Sequence, residues 1–212
     1  MREIDKIIAQ KLLQINAIKL SPQNPFTWAS GIKSPIYCDN RITLSYPAIR
    51  KEIKEGFAEL SKEFPEFDHV SGVATAGIAH GALLADYLEL PFSYVRSSAK
   101  KHGRQNKIEG EIADGSRILV IEDLISTGGS SIFAVDDLRE NGYEVVGVMA
   151  IFTYEFQKAI ENFQKANCKF ATLSNYSTLL HEASKAKYIT EQEVAILSDW
   201  SKDPNGWYDR NF

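Results

Sequence analysis

The stretch Ile118-Leu119-Val120-Ile121-Glu122-Asp123-Leu124-Ile125-Ser126-Thr127-Gly128-Gly129-Ser130 decides how this chain folds. Its continuous apolar run, opened by Arg117, has the character of a strand buried on both faces, as the central strands of parallel sheets are. The run delivers two adjacent carboxylates, Glu122 and Asp123, to its carboxyl end. A turn from Asp123 to Gly129 follows, then a helix over about 130–141. Small residues let backbone N–H groups wrap an anion, and a helix N-terminus adds positive potential. Carboxylates repel phosphate, so their place beside such a cradle needs a reason. Ribose hydroxyls or a bound Mg²⁺ supply one. The implied ligand is a sugar with a phosphate at one end and diol hydroxyls nearby.

On both sides of this stretch the pattern alternates. A short strand at 69–73 leads to the loop Ala74-Thr75-Ala76-Gly77, and a helix over roughly 78–89 ends before Pro91. Residues 92–95 read as a strand, 96–110 as a long polar loop, and 143–152 as another buried strand. A helix and a strand near 169–173 come next. The C-terminal stretch starts helical and turns polar, as a frayed end would. Alternating strands and helices specify an α/β fold with a central parallel sheet flanked by helices. Ligands on such sheets sit at the carboxyl ends of the strands. The loops at 74–77, 96–110 and 123–129 are candidates for that rim.

Toward the N-terminus, Ile4, Ile7, Ile8, Leu12 and Ile15 recur at helical spacing. The stretch Phe26 to Asp39 has two aromatic-flanked arms around Ser30-Gly31, which predict a short hairpin. Ser45 is a candidate N-cap for a helix with Pro47 in its first turn and Ile49, Ile53, Phe57 and Leu60 on one face.

Composition bounds the function. The 212 residues, 44% hydrophobic and 25% charged, exclude a disordered or collagen-like chain. Lys and Arg number 24 against 28 Asp and Glu, and a net charge of −4 argues against nucleic acid as a partner. Cys38 and Cys168 are far apart and read as free thiols of a reducing compartment. No signal-peptide pattern opens the chain and no apolar run is long enough for a membrane span. A cytoplasmic protein with no membrane partner is expected, read as one domain over 1–212 whose residues 1–40 supply the helix and hairpin.

The segment around Glu122 resembles the phosphoribosyl pyrophosphate (PRPP) signature of type I phosphoribosyltransferases. It lacks the Gly-Lys-Ser/Thr of a Walker loop and the Gly-x-Gly-x-x-Gly of a dinucleotide site. The resemblance implies that Glu122 and Asp123 hold the ribose 2- and 3-hydroxyls. It implies that Ser126, Thr127, Gly128, Gly129 and Ser130 hold the 5-phosphate, with Leu124 and Ile125 in the same PRPP-binding segment. Val73 to Ile78 resembles the family's pyrophosphate loop.

Residues 94–110 carry six Arg, Lys or His in an otherwise acidic chain. Such runs are usually solvated surface. Arg96, Lys100, His102 and Gly103, at their spacing, instead resemble the loop of orotate phosphoribosyltransferases that crosses a dimer interface to the neighbour's PRPP. The resemblance implies that Arg96, Lys100 and His102 contact pyrophosphate in trans, with Lys101 a weaker candidate, and that Lys100, His102 and Asp123 are catalytic. The Phe26 to Asp39 stretch resembles the N-terminal hood of the same enzymes, which purine phosphoribosyltransferases lack.

Several family lysines are missing here, at Ala29, Ala76 and Ser97. Some members place an Arg for the orotate carboxylate just after the strand ending near Phe152, where this chain has Thr153-Tyr154. Ser126 is the one residue assigned to orotate. The resemblance implies PRPP and orotate as substrates, Mg²⁺ as cofactor without a protein metal ligand, and a homodimer. The rival readings are a purine phosphoribosyltransferase, a non-catalytic PRPP-sensing regulator and a non-enzymatic α/β scaffold. His69, His80 and His181 read as structural, and nothing in the sequence activates Cys38 as a nucleophile.

Overall fold

The computed structural model describes residues 2–28, 31–96 and 107–212. Helix α1 (Glu3–Gln14) is followed by four short strands, β1 (Ile18–Leu20), β2 (Phe26–Thr27), β3 (Lys33–Ser34) and β4 (Ile36–Cys38). They nest as two antiparallel pairs, β1 with β4 outside and β2 with β3 inside. The expected hairpin is thus present, with Gly31 at φ +87° in the turn. A 3₁₀ turn (Asn40–Ser45) leads to α2 (Pro47–Leu60), β5 (His69–Val73), α3 (Ala76–Leu88), β6 (Phe92–Val95) and β7 (Ile108–Glu109). Then come β8 (Arg117–Ile125), α4 (Gly129–Glu140), β9 (Glu144–Thr153), α5 (Gln157–Lys165), β10 (Phe170–Asn175), α6 (Tyr176–Lys185), α7 (Glu191–Lys202) and α8 (Trp207–Asn211).

Six strands form the main sheet in the order β10-β9-β8-β5-β6-β7, parallel except for the β6–β7 pair. The chain leaves β5 toward β6 and later returns to its other side as β8. The strand order therefore reverses between β5 and β8, the point at which open α/β sheets hold ligands outside their carboxyl ends.

The side chains of β8 alternate between two apolar clusters. Leu119 and Ile121 join Ile8, Leu12, Ile53, Phe57 and Leu84 on the face covered by α1, α2 and α3. Ile118 and Val120 join Ala134, Val135, Leu138 and Phe163 on the face covered by α4 and α5. A run buried on both sides has no polar alternation, which is why it reads as an unbroken apolar block.

Three expectations need correction. The turn expected from Asp123 begins later, because β8 continues to pair with β9 through Leu124↔Phe152 and Ile125↔Thr153. The acidic pair is therefore fixed inside a strand. Ser45 does not cap α2: the N-cap is Tyr46, without a side-chain bond, and Pro47 supplies the first position, where no N–H is needed. The C-terminal stretch does not fray. Trp200 is fully buried against Trp28 of the hairpin and Tyr154, Trp207 is fully buried with its ring beside that of Phe212, and Thr190 and Glu193 form a reciprocal capping box at the start of α7. No helix among the described residues is long and apolar enough to cross a membrane.

Candidate active site

The carboxyl ends of β5, β6, β8 and β9 bring the described residues among those predicted from the sequence to one edge. Glu122 is buried. Its Oε1 accepts from the backbone N–H of Asp123 at 3.0 Å and its Oε2 from the hydroxyl of Ser130 at 3.1 Å. The second bond ties the strand end to the first turn of α4. Burial, followed by the charge of Asp123, pushes the Glu122 carboxyl up to about 8. Burial likewise raises Asp123. Two adjacent carboxylates short of water hold their negative charge at a cost, which hydroxyl donors or a cation would relieve.

The loop after β8 is small and pinned from behind. Thr127 O accepts from Asn162 Nδ2 of α5 at 2.9 Å. Gly128, at φ +80°, is the N-cap of α4, and a Cβ there would lie 2.7 Å from the Phe163 ring. A glycine N-cap has no side-chain oxygen, so no side-chain cap serves the first-turn amides of α4. These amides, with Ser126, Thr127, Gly129 and Ser130 around them, form a site for an anion. Ile125 is fully buried under α4 and Leu124 packs on the opposite cluster, so both offer a ligand only backbone.

Gly77 sets the distance between the loop after β5 and the acidic pair. A Cβ at Gly77 would sit 2.3 Å from Ile121 O and 3.2 Å from Glu122 Cα. Only glycine lets the start of α3 lie this close to β8. The Ala74–Thr75 peptide just before it is cis.

The hairpin closes on the same edge. Trp28 stacks on Tyr154, ring centroids 5.3 Å apart, and its Nε1 donates to Ile36 O at 3.0 Å. Trp28 is therefore a packing residue as well as a hood residue. Tyr154 also stacks on Phe156 at 5.3 Å, and its buried hydroxyl is raised well above its ordinary value by burial and then by Cys38, Tyr176 and Asp123. A buried aromatic thus stands directly after β9.

Residues 38–43 form a part of the site that the motif reading missed. Asn40, fully buried, donates from Nδ2 to Asp123 O at 2.8 Å and accepts from the Cys38 thiol at 3.4 Å. Burial, then the charges of Asp123 and Asp39, raise the Cys38 thiol, so it is no nucleophile. Arg41 is gripped by Asp39, Nε to Oδ1 at 2.6 Å and Nη2 to Oδ2 at 2.9 Å. Thr43 Oγ1 donates to Asn40 O at 2.5 Å and lies 3.3 Å from His80 Nε2. The sequence signal was only a polar Asp39-Asn40-Arg41 directly after a strand.

Arg96 ends β6. Its guanidinium meets Glu109 at 3.4 Å and its N–H donates to Lys107 O at 2.9 Å. Lys100, Lys101 and His102 lie outside the described residues. Among the described residues, no group of three or more His, Cys, Asp or Glu could hold a metal. The paired carboxylates, short of water, fit an ion carried mainly by substrate oxygens and waters, as Mg²⁺ usually is. A cavity of about 640 Å³ between α1 and α2 includes none of these residues.

A family model described as the phosphoribosyl transferase domain matches residues 43–175. The orotate phosphoribosyltransferase of Enterococcus faecalis is 55% identical over 208 residues, 98% of this chain and 99% of that protein. The chain belongs to the orotate phosphoribosyltransferases. The family's Phocaeicola vulgatus member is 53% identical over 98% of each chain. Among solved structures, the orotate phosphoribosyltransferase from Aeropyrum pernix superposes with a TM-score of 0.75 at 27% identity, covering 86% of this chain and 99% of that one. Leishmania donovani UMP synthase superposes with a TM-score of 0.79 at 28% identity, covering 92% of this chain and 42% of that one. The expected type I phosphoribosyltransferase fold is therefore the one present.

Proposed function

We infer that this chain transfers the 5-phosphoribosyl group of PRPP to orotate, giving orotidine 5-phosphate and pyrophosphate on the route to UMP. The Glu122–Asp123 pair, with Glu122 buried, beside the glycine-capped N-terminus of α4 is the observation that carries this reading. Glu122 and Asp123 accept from the ribose hydroxyls, and the amides after Ser126 take the 5-phosphate. By family resemblance Ser126, on the same loop, also meets orotate.

The reaction displaces pyrophosphate at the anomeric carbon. Positive charge develops on the ribose as negative charge leaves with pyrophosphate. No nucleophile on the protein is needed, so catalysis is positional and electrostatic. The Asp123 carboxylate at the ribose face favours the developing cation, and the fixed amides hold the phosphate end still while the anomeric carbon moves. Mg²⁺, when bound, neutralises pyrophosphate oxygens as a Lewis acid. Lys100 and His102, with Arg96, complete the pyrophosphate side. By family resemblance they come from the second subunit of a homodimer.

The test follows orotate absorbance with purified protein, PRPP and Mg²⁺, with hypoxanthine and uracil as parallel bases. Orotate consumption that stops on chelation of Mg²⁺ is expected. Turnover of hypoxanthine in its place would point to a purine enzyme. PRPP binding with no turnover of any base would point to a regulator.

A further inference from the structure

On the orotate reading, the substrate brings a carboxylate to an edge whose acidic pair, Glu122 and Asp123, already feels the charge of Asp39, and a cation there would offset the repulsion. Where some members of the family place an Arg, this chain has Tyr154, which is buried and stacked. The described cations nearby are mostly engaged elsewhere. Arg96 faces Glu109, Lys107 holds Asp137 at 2.7 Å, Arg50 donates to Leu44 O, and Lys33 donates to Thr27.

Arg41 differs from them. It follows Asn40, whose side chain is fixed to the Asp123 main chain. Its guanidinium is 64% exposed and interacts electrostatically with both Asp123 and Tyr37. Asp39 grips one edge of the guanidinium through Nε and Nη2. A guanidinium has five N–H donors in a rigid fork. Among the described residues, nothing takes the Nη1 hydrogens or the second hydrogen on Nη2.

We propose that Arg41 is the residue that receives the carboxylate of orotate, end-on, while Asp39 braces it from the side. The proposal rests on the orotate reading given above. The brace is itself anchored, because Asp39 N–H donates to Ala17 O at 2.7 Å and its carboxylate also accepts from Arg41 N–H at 3.2 Å. The hydrogen bond from Arg41 holds the Asp39 carboxyl below its ordinary value, so the brace stays ionised at neutral pH. A fork fixed in this way loses less freedom on binding than an unbraced side chain, and it matches a planar carboxylate with two parallel bonds. The arrangement reads the group that separates orotate from uracil.

The experiment compares Arg41→Ala and Arg41→Lys with the parent enzyme, measuring KM for orotate, KM for PRPP, and inhibition by the neutral 6-carboxamide of orotate. Arg41→Ala should raise the orotate KM by roughly tenfold to a hundredfold, the range for hydrogen bonds to charged groups. The PRPP KM and the carboxamide inhibition constant should move less than about twofold. Arg41→Lys, a point charge without the fork, should recover part of the loss. An unchanged orotate KM, equal losses for orotate and carboxamide, or a rise mainly in the PRPP KM would each overturn the assignment while leaving the orotate reading intact. A parent enzyme that does not consume orotate would overturn both.

Discussion

The side-chain amide of Asn40 donates to the main-chain carbonyl of Asp123 at 2.8 Å, so a buried residue at the end of the hairpin arm supports the acidic end of β8. The same Asn40 accepts from Cys38 Sγ, and its carbonyl accepts from Thr43. Hairpin, 3₁₀ turn and β8 thus share one polar node. Removing a partner from a buried pair costs more than the bond itself is worth, because the remaining group stays dry and unpaired.

Asn40→Ala should therefore lose about 1–3 kcal/mol of stability. Denaturant unfolding should show a lower midpoint with an unchanged slope. The PRPP KM should rise with it, since Asp123 loses its support. A midpoint equal to that of the parent would show that the node is not a support.

Glu122 makes stability fall toward alkaline pH. Its carboxyl titrates at about 8 in the fold, against an ordinary value of 4.5. Between these values the folded protein keeps a proton that the unfolded chain has released. The resulting stabilisation is complete below pH 4.5 and is lost as pH rises through 8. Burial raises Asp123 in the same direction. Glu122→Gln keeps an acceptor for the Asp123 N–H and removes the titration, so its decline between pH 6.5 and 8 should be shallower. Parallel profiles of midpoint against pH would contradict this.

His80 acts on the acid limb with the opposite sign. The Thr43 hydroxyl hydrogen is committed to Asn40 O, which leaves His80 to donate to Thr43 from Nε2. Burial, then the charge of Arg50, lowers it from 6.5 to about 4. Between those values the unfolded chain takes up a proton that the fold refuses. This stabilisation is present above pH 6.5 and is lost as pH falls through 4. His80→Gln can still donate to Thr43, and its unfolding midpoint should vary less than the parent's from pH 6.5 down to 4. An equally steep acid loss would show that other groups set that limb.

The parts of the site that were legible in the sequence are those made by contiguous residues. The strand, acidic pair and small-residue loop of 118–130 lie in one segment, and an unbroken apolar run leaves few alternatives to a central strand. Asn40 and Arg41 were not legible, because Asn40 takes its meaning from a contact with Asp123, 83 residues beyond it, and Arg41 from the charge of the same residue. The continuation of β8 through Asp123 was hidden for a similar reason. A carboxylate pair signals a turn locally, and only pairing with Phe152 and Thr153 of β9 holds it extended. Trp200 sits in a polar tail, and rings distant in sequence, Trp28 of the hairpin and Tyr154 after β9, pack against it.

The cationic segment after β6 tests the shared-site part of the proposal. Lys100→Ala should lower kcat by an amount equivalent to about 2–4 kcal/mol, the range for a preorganised donor aimed at developing charge. Its binding of PRPP should change far less, since a group engaged mainly in the transition state contributes little to the ground state. An Asp123→Ala variant should fail at the ribose instead. If Lys100 serves the neighbouring subunit, the two defects lie on different chains of each site. Mixing the inactive variants and allowing subunit exchange should then restore about a quarter of the parental sites by random pairing, since half of the dimers are mixed and each mixed dimer has one intact site. Full-length Lys100→Ala and Asp123→Ala proteins that exchange subunits, as shown by mass-tagged mixing, yet recover no activity would place Lys100 in its own subunit's site.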